Sequence, residues 1–155
     1  MNQIQYEEAV RTIEPGIYRH FKGNYYEVLY IARHSETTEP MVVYRALYGD
    51  GGVWTRPAGM WNETVEHDGQ TVTRFRKLSL AERVSFYEDL FDAVSAAEDS
   101  HTNEIDQKRR LLDDYYTSGQ WQQDYEADEQ GMLPEDLKRG VLSQDALYDL
   151  LTETN

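Results

Sequence analysis

A change of hydrophobic period at Ser79, with a jump in charge density at the same place, constrains this chain most. Up to Leu78, short runs rich in Tyr, Val, Thr and Trp alternate with clusters of Gly, Asn, Asp and Pro. From Ser79 onward, apolar residues recur three and four apart, the spacing of one helix face. Residues 1–80 carry 9 basic and 10 acidic side chains, whereas residues 81–155 carry 6 and 19. Halves that differ this much in pattern and in charge predict two units with different surroundings.

The first half reads as strands GIYRHF, YYEVLYIAR, MVVYRAL, VWTRP and TVTRFRKL. Asp50-Gly51-Gly52 and Asp68-Gly69 are residues that accept positive φ, so they predict hairpins in MVVYRALYGDGGVWTRP and TVEHDGQTVTRF. Five short strands predict a small, strongly curved antiparallel sheet or barrel. Ahead of them, Tyr6, Val10 and Ile13 fall at i, i+4 and i+7, which predicts a short helix over residues 2–12.

In the second half, Ser79-Leu80-Ala81-Glu82 is a capping box. Leu80, Val84, Tyr87, Phe91 and Val94 continue it as a helix face, widened by Phe86, Leu90, Ala93 and Ala97. Ser100 to Asn103 is helix-averse and predicts a turn, although a single helix as far as Ser118 is an open alternative. Ile105, Leu112 and Tyr116 form the next seam, and Gly119 its C-terminal stop. Trp121 and Tyr125 belong to a helix ended by Gly131, Pro134 opens a helical stretch closed by Gly140, and Ser143 caps a last helix that buries Ala146, Leu147, Leu150 and Leu151.

Two family resemblances are carried by particular residues. Pro15-Gly16, Tyr18-Arg19-His20, Lys22-Gly23, Tyr26-Glu27-Val28, Ala32-Arg33-His34-Ser35-Glu36-Thr37, Val43-Tyr44-Arg45, Trp54 and Arg56-Pro57 resemble the bacterial domain-of-unknown-function family DUF1653. The resemblance covers residues 14–78 and implies an SH3-like β-barrel. The stretch WQQDYEADEQGMLPEDLKRGVLSQDALYDLL is similar to the C-terminal block of the DUF4298 family. Neither resemblance brings an activity or catalytic residues. The expected fold is therefore α+β: a small SH3-like antiparallel β-barrel over 14–78, then an acidic all-helical module over 79–155. Ala46-Leu47-Tyr48-Gly49-Asp50 echoes a signature of peptide-binding SH3 domains, but it runs from a strand into a hairpin, so the proline-binding reading does not transfer.

Composition narrows the function. Without cysteine, the chain has no disulfide, thiolate metal site or cysteine nucleophile. An acidic start with no apolar core and the lack of a long apolar run predict a soluble, cytoplasmic protein with no membrane association. There is no Gly-rich phosphate loop, GxSxG elbow or Rossmann fingerprint, so no cofactor is expected.

The most suggestive polar group is His20, the loop His34-Ser35-Glu36-Thr37, and Arg45. It could share a proton in general acid–base chemistry, but its spacing fits no metal motif, so no metal is expected. The bland reading has His34 and Glu36 bonding within their loop while His20 and Arg45 finish strands beside tyrosines. The candidate ligand-binding residues are His20, His34, Ser35, Glu36, Arg45, Trp54 and Arg56. Tyrosines and tryptophans interleaved with Arg19, Lys22, Arg33, Arg45, Arg56, Arg74 and Arg76 could stack bases, yet the acidic neighbour makes nucleic acid an unfavourable partner.

Asp124, Glu126, Asp128 and Glu135 match positions of an EF-hand loop, but Glu129 stands where the turn glycine belongs, so they read as a solvated acidic helix face. The function expected is a noncatalytic adaptor for an unknown protein or small-molecule ligand, with a homodimer through the helical half possible. The alternative is a small enzyme or nucleotide-handling accessory domain using His20, His34, Glu36 and Arg45.

Overall fold

In the computed structural model, which describes residues 4–153, the chain divides into two units, Met1–Leu78 and Ser79–Asn155. The fold is mixed α and β: antiparallel sheet in the first unit and helices in the second.

The first unit begins with helix α1, Tyr6–Thr12. Residues 2 and 3 of the expected helix lie outside the described residues. The helix buries Ala9, with Ile13 just beyond its end, while Val10 is about half exposed. The expected seam is therefore turned by one residue, and Ala9 rather than Val10 faces the core. Strands β1 (Gly16–His20), β2 (Tyr25–Arg33), β3 (Pro40–Ala46) and β4 (Val53–Pro57) run as an antiparallel meander. The short helix α2, Ala58–Trp61, follows directly on Pro57 and was not legible as a helix. It buries Ala58 and Trp61.

The expected fifth strand TVTRFRKL is two strands in two sheets. Strands β5 (Thr64–His67) and β6 (Gln70–Thr73) form a hairpin, and β7 (Phe75–Lys77) pairs with β1. Arg74 is the break: its N–H donates to Glu63 O at 2.8 Å, and its carbonyl accepts from Phe21 N at 2.9 Å. The larger sheet has the order β4-β3-β2-β1-β7. Both hairpin signals act as expected: Asp68 and Gly69 have φ of 51° and 78°, and Gly49 and Gly51 have 59° and 70°.

The core of this unit joins Ala9, Ile13, Tyr18, Val28, Val42, Tyr44, Ala58, Trp61 and Phe75. Trp61 and Phe75 stack face to face at 3.7 Å, with Tyr18 and Tyr44 edge-on to Trp61 at 5.4 and 5.0 Å. Large rings give this small unit apolar area that five short strands of aliphatic residues would not supply.

The second unit contains α3 (Leu80–Ala97), α4 (Asn103–Thr117), α5 (Gln120–Glu129), a 3₁₀ turn (Gly140–Leu142) and α6 (Ala146–Glu153). The capping box is formed: Ser79 Oγ accepts from Glu82 N at 3.3 Å, and Glu82 Oε1 accepts from Ser79 N at 3.0 Å. Helices α3 and α4 are a hairpin, not one helix. Glu98 turns the chain at φ 52°, and Thr102 caps α4 by accepting from Ile105 N at 3.2 Å. Tyr87 and Tyr115 stack between the two helices at 3.7 Å.

Two expectations for this unit need correction. Residues 134–139 form turns rather than a helix, because Arg139 bonds back to Pro134 O and to Asp128, while Lys138 reaches Asp92 at 2.6 Å. Six residues from Pro134 to the one before Gly140 are too few to repay helix nucleation against those contacts. Asp124 is not solvated. It is buried, and it accepts from Arg83 Nη2 (2.6 Å), Arg83 Nε (3.1 Å), Tyr115 Oη (2.6 Å) and Gln120 Nε2 (2.9 Å). No helix among the described residues is long and apolar enough to cross a membrane.

Candidate functional site

Residues directly opposite one another in an antiparallel pair share a face of the sheet. Arg56 is opposite the fully buried Val42, Trp54 is opposite Tyr44, and His20 is opposite Phe75. Arg56, Trp54 and His20 therefore lie on the core-facing side. Arg45, one residue out of step with Tyr44, lies on the other side and forms an ion pair with Glu27 at 2.7 Å.

The loop candidates lie elsewhere. His20 N bonds to Asn24 O just before β2 begins, whereas His34 follows its last residue. The nine residues of β2 span roughly 25–30 Å when extended at about 3.3 Å per residue. His34 Nδ1 accepts from Glu36 N at 3.1 Å and Thr37 N at 3.3 Å, so it organises its own turn, with Ser35 and Glu36 exposed. The following Thr37 and Thr38 line a cleft of ≈ 560 Å³ with Tyr6 and Arg33, whose guanidinium covers the Tyr6 ring at 3.8 Å. Thus His20, Trp54 and Arg56 share one face, while Arg45 and the His34-Ser35-Glu36 turn belong to two other places.

At the His20 end the chemistry is aromatic and cationic. The His20 ring meets Phe75 edge-on at 4.9 Å, Tyr26 at 6.3 Å and Phe21 at 4.5 Å. Its Nδ1 accepts from Lys22 N at 3.1 Å, which places the proton of the neutral ring on Nε2. Burial pushes the imidazole pKa down, and the charges of Arg74, Lys22 and Arg56 push it further. Arg56 lies over the Phe75 ring at 5.7 Å and forms no ion pair among the described residues. Arg74 reaches Glu63 only at 3.4 Å.

Three buried N–H donors on this side have no hydrogen-bond partner: Arg56 Nε, Arg74 Nε and Trp61 Nε1. Buried donors are nearly always paired, so three unpartnered ones around one aromatic stack set this side of the sheet apart. Tyr26 and Tyr48 close the side through an Oη–Oη bond of 2.6 Å. Burial first, then that bond, raise the Tyr26 pKa to about 12. Trp54 is 62% exposed at the edge strand, and its indole lies 3.0 Å from the place a side chain at Gly52 would occupy.

Arg74, Phe75 and Trp61 belong to this group without having been singled out as ligand residues. Their signal was the interleaving of rings with basic residues. Among the described residues, no group of three or more His, Asp or Glu is arranged to hold a metal ion.

Residues 16–77 match the family model described as a protein of unknown function, DUF1653, and residues 81–155 match that of a domain of unknown function, DUF4298. The first region is similar to a crystal structure of a protein belonging to DUF1653 from Bordetella bronchiseptica. The two are 41% identical, with 44% of this chain and 91% of that chain covered and a TM-score of 0.42. No curated protein is significantly similar to the chain.

Proposed function

We propose, for a chain that belongs to the DUF1653 family over residues 16–77 and is similar to the DUF4298 family over residues 81–155, a noncatalytic adaptor role. In this reading the sheet unit is an SH3-like barrel that binds an acidic peptide or ligand. Its order, with β7 returning beside β1 after a four-stranded meander, suits such a barrel. The ligand lies along edge strand β4 and places a carboxylate against Arg56, between the exposed Trp54 and the Phe75 wall.

The observation that carries this is Arg56, a guanidinium on the core-facing side with a buried, unpartnered Nε and no carboxylate partner among the described residues. Edge strand β4 supports it, because Val53, Trp54 and Thr55 are all exposed and can pair with an extended segment. The helical unit, with its large acidic excess, serves as the docking surface for a basic or apolar protein surface, or for a second copy of itself. We place the protein in the cytoplasm.

The enzyme alternative requires His20, His34, Glu36 and Arg45 in one open pocket. The register separates them, which favours the adaptor.

Random-peptide display against the full chain, with Arg56→Met as the parallel target, tests the reading. Acidic sequences should enrich on the unsubstituted chain and weaken by about tenfold or more on the variant, the effect of losing one charge-assisted hydrogen bond of about 1.5–3 kcal/mol. Equal enrichment on both removes Arg56 from the site. No enrichment rejects peptide recognition.

A further inference from the structure

Strand β4 ends its sheet, and its free side is guarded only at the last residue, Pro57. Val53, Trp54 and Thr55 carry no charge and are all exposed. Ala46 N donates to Gly52 O at 3.1 Å, which fixes the phase of the β3–β4 ladder. Backbone groups alternate sides along a strand. Trp54 and Arg56 therefore turn theirs to β3, whereas Val53 and Thr55 turn theirs to the open edge. Pro57 has the phase of Val53 and Thr55, where its missing N–H costs no bond to β3.

The side chains on the core-facing side of β4 are arranged along this edge. Trp54 is 62% exposed, yet its indole lies along the strand: Nε1 and Cε2 are 3.0 and 3.5 Å from the place a side chain at Gly52 would occupy. Gly52 has no positive φ that calls for glycine, so the ring is what excludes a side chain there. Asp50 Oδ1 lies 3.5 Å from the same place. It accepts from Gly52 N at 3.2 Å and forms no ion pair among the described residues. Arg56, on the same side of the sheet, is the unpaired cation of this strand.

We infer that β4 pairs with β4 of a second copy of this chain, antiparallel about a two-fold axis through Trp54. Val53 of each copy then exchanges both backbone hydrogen bonds with Thr55 of the other, and the two Trp54 side chains meet at the axis. Arg56 comes directly opposite Gly52 of the second copy, on the side where Asp50 holds its carboxylate. The free cation of each copy thus meets the free carboxylate of the other. An axis at Arg56 would oppose two guanidinium groups, and one at Thr55 would carry Asp50 two residues away from Arg56. A five-residue strand makes a short interface of the weak, transient class, so the dimer depends on concentration. This inference rests on the reading of β4 as an open edge where Arg56 holds a carboxylate, and makes the second copy a competitor of the acidic ligand.

Sedimentation equilibrium and amide hydrogen exchange of the full chain, at about 10 μM and about 1 mM, test this. The dimer fraction should rise with concentration. The amides of Val53 and Thr55 should gain protection as it does, whereas those of Trp54 and Arg56, already bonded to β3, should be protected throughout. Thr55→Pro removes a donor from the open edge and none from the β3 ladder, so it should fold and abolish the dimer. Arg56→Glu should weaken association by about tenfold or more, and adding Asp50→Arg to the same chain should restore it. A monomer at both concentrations, or a dimer whose Val53 and Thr55 amides exchange freely, would overturn the pairing, as would a dimer undiminished in folded Thr55→Pro. Failure of the double substitution to restore association would overturn the axis at Trp54. Peptide enrichment without a dimer would sink this inference alone, and a dimer without peptide enrichment would sink the peptide reading alone.

Discussion

Removing the carboxylate of Asp124 should cost the helical unit a large part of its stability. Four donors converge on its two oxygens, from Arg83, Tyr115 and Gln120, at 2.6 to 3.1 Å. Asp124 is 1% exposed, and the Arg83 side chain is 19% exposed. In Asp124→Ala the guanidinium loses its counter-charge, a loss of about 3–5 kcal/mol for a buried pair. Partial exposure of Arg83 puts this term near the lower end, about 3 kcal/mol.

The Tyr115 hydroxyl, left without an acceptor in a buried stack against Tyr87, adds about 1 kcal/mol or more. The sum, about 4 kcal/mol, is a large share of the roughly 5–15 kcal/mol that keeps a domain folded. Urea denaturation of the full chain, followed by far-UV circular dichroism and tryptophan fluorescence, measures it. A loss of less than about 1 kcal/mol, the value of a surface ion pair, would refute the reasoning. Replacing both partners, as Arg83→Met with Asp124→Leu, should recover part of the loss, because no charge is then stranded.

Glu88 is buried and accepts from Val141 N at 2.7 Å, so Glu88→Ala should cost about 1–3 kcal/mol and Glu88→Gln less, both read by the same denaturation. Trp61→Ala should destabilise the sheet unit by about 3–5 kcal/mol and broaden the amide spectrum of residues around Phe75. Tyr18, held up to about 12 by burial and then by the Glu14 charge, and Tyr26, held there by burial and Tyr48, should ionise late in an alkaline absorbance titration. Their contribution is complete below about pH 10, where unfolded tyrosines titrate, and is lost as pH rises towards 12. His20 works in the opposite direction: an unfolded histidine binds its proton near pH 6.5 while the folded ring resists. Stability should therefore fall on acidification below about pH 6.5, and His20→Gln should flatten that slope in thermal melts at stepped pH.

What the sequence revealed was decided locally. A Ser-x-x-Glu cap, an Asp-Gly turn and a glycine after a helix each act within four residues, and Ser79, Asp68 and Gly119 took up the geometry their neighbours imply. The misreadings depended on distant partners. Val10 and Ala9 both satisfy a helical period, and only the sheet beneath α1 selects Ala9. TVTRFRKL alternates as one strand does, but Glu63 and Phe21 take both backbone groups of Arg74 and divide it. Asp124 looked like one acid among many because its partner Arg83 is 41 residues away. At the site, period 2 placed Arg45 and Arg56 on strands, yet which side each faced depended on register against β2 and β3, which composition does not encode.

The distribution of cations explains why the two units suit different partners. In the helical unit, Arg83 pairs with Asp124, Lys108 with Glu104, Arg109 with Asp106, Lys138 with Asp92 and Arg139 with Asp128. Among the described residues, Arg110 alone of its six basic residues has no such pair, so what this unit presents to solvent is almost wholly negative. In the sheet unit, Arg19, Lys22 and Arg56 pair with no carboxylate among the described residues, although acids slightly outnumber bases there. Three of those acids are held by other groups: Glu27 by Arg45, Glu63 by Arg74 and Glu14 by Lys77. The near-zero charge of the first half therefore hides a positive end around His20, where an anion can be held. A basic partner for the helices would bind more weakly with rising salt, since exposed charges are screened beyond about 8–10 Å, whereas an anion held against the half-buried Arg56 would lose less. Comparing the salt dependence of the two associations would show whether one surface or two carries the binding.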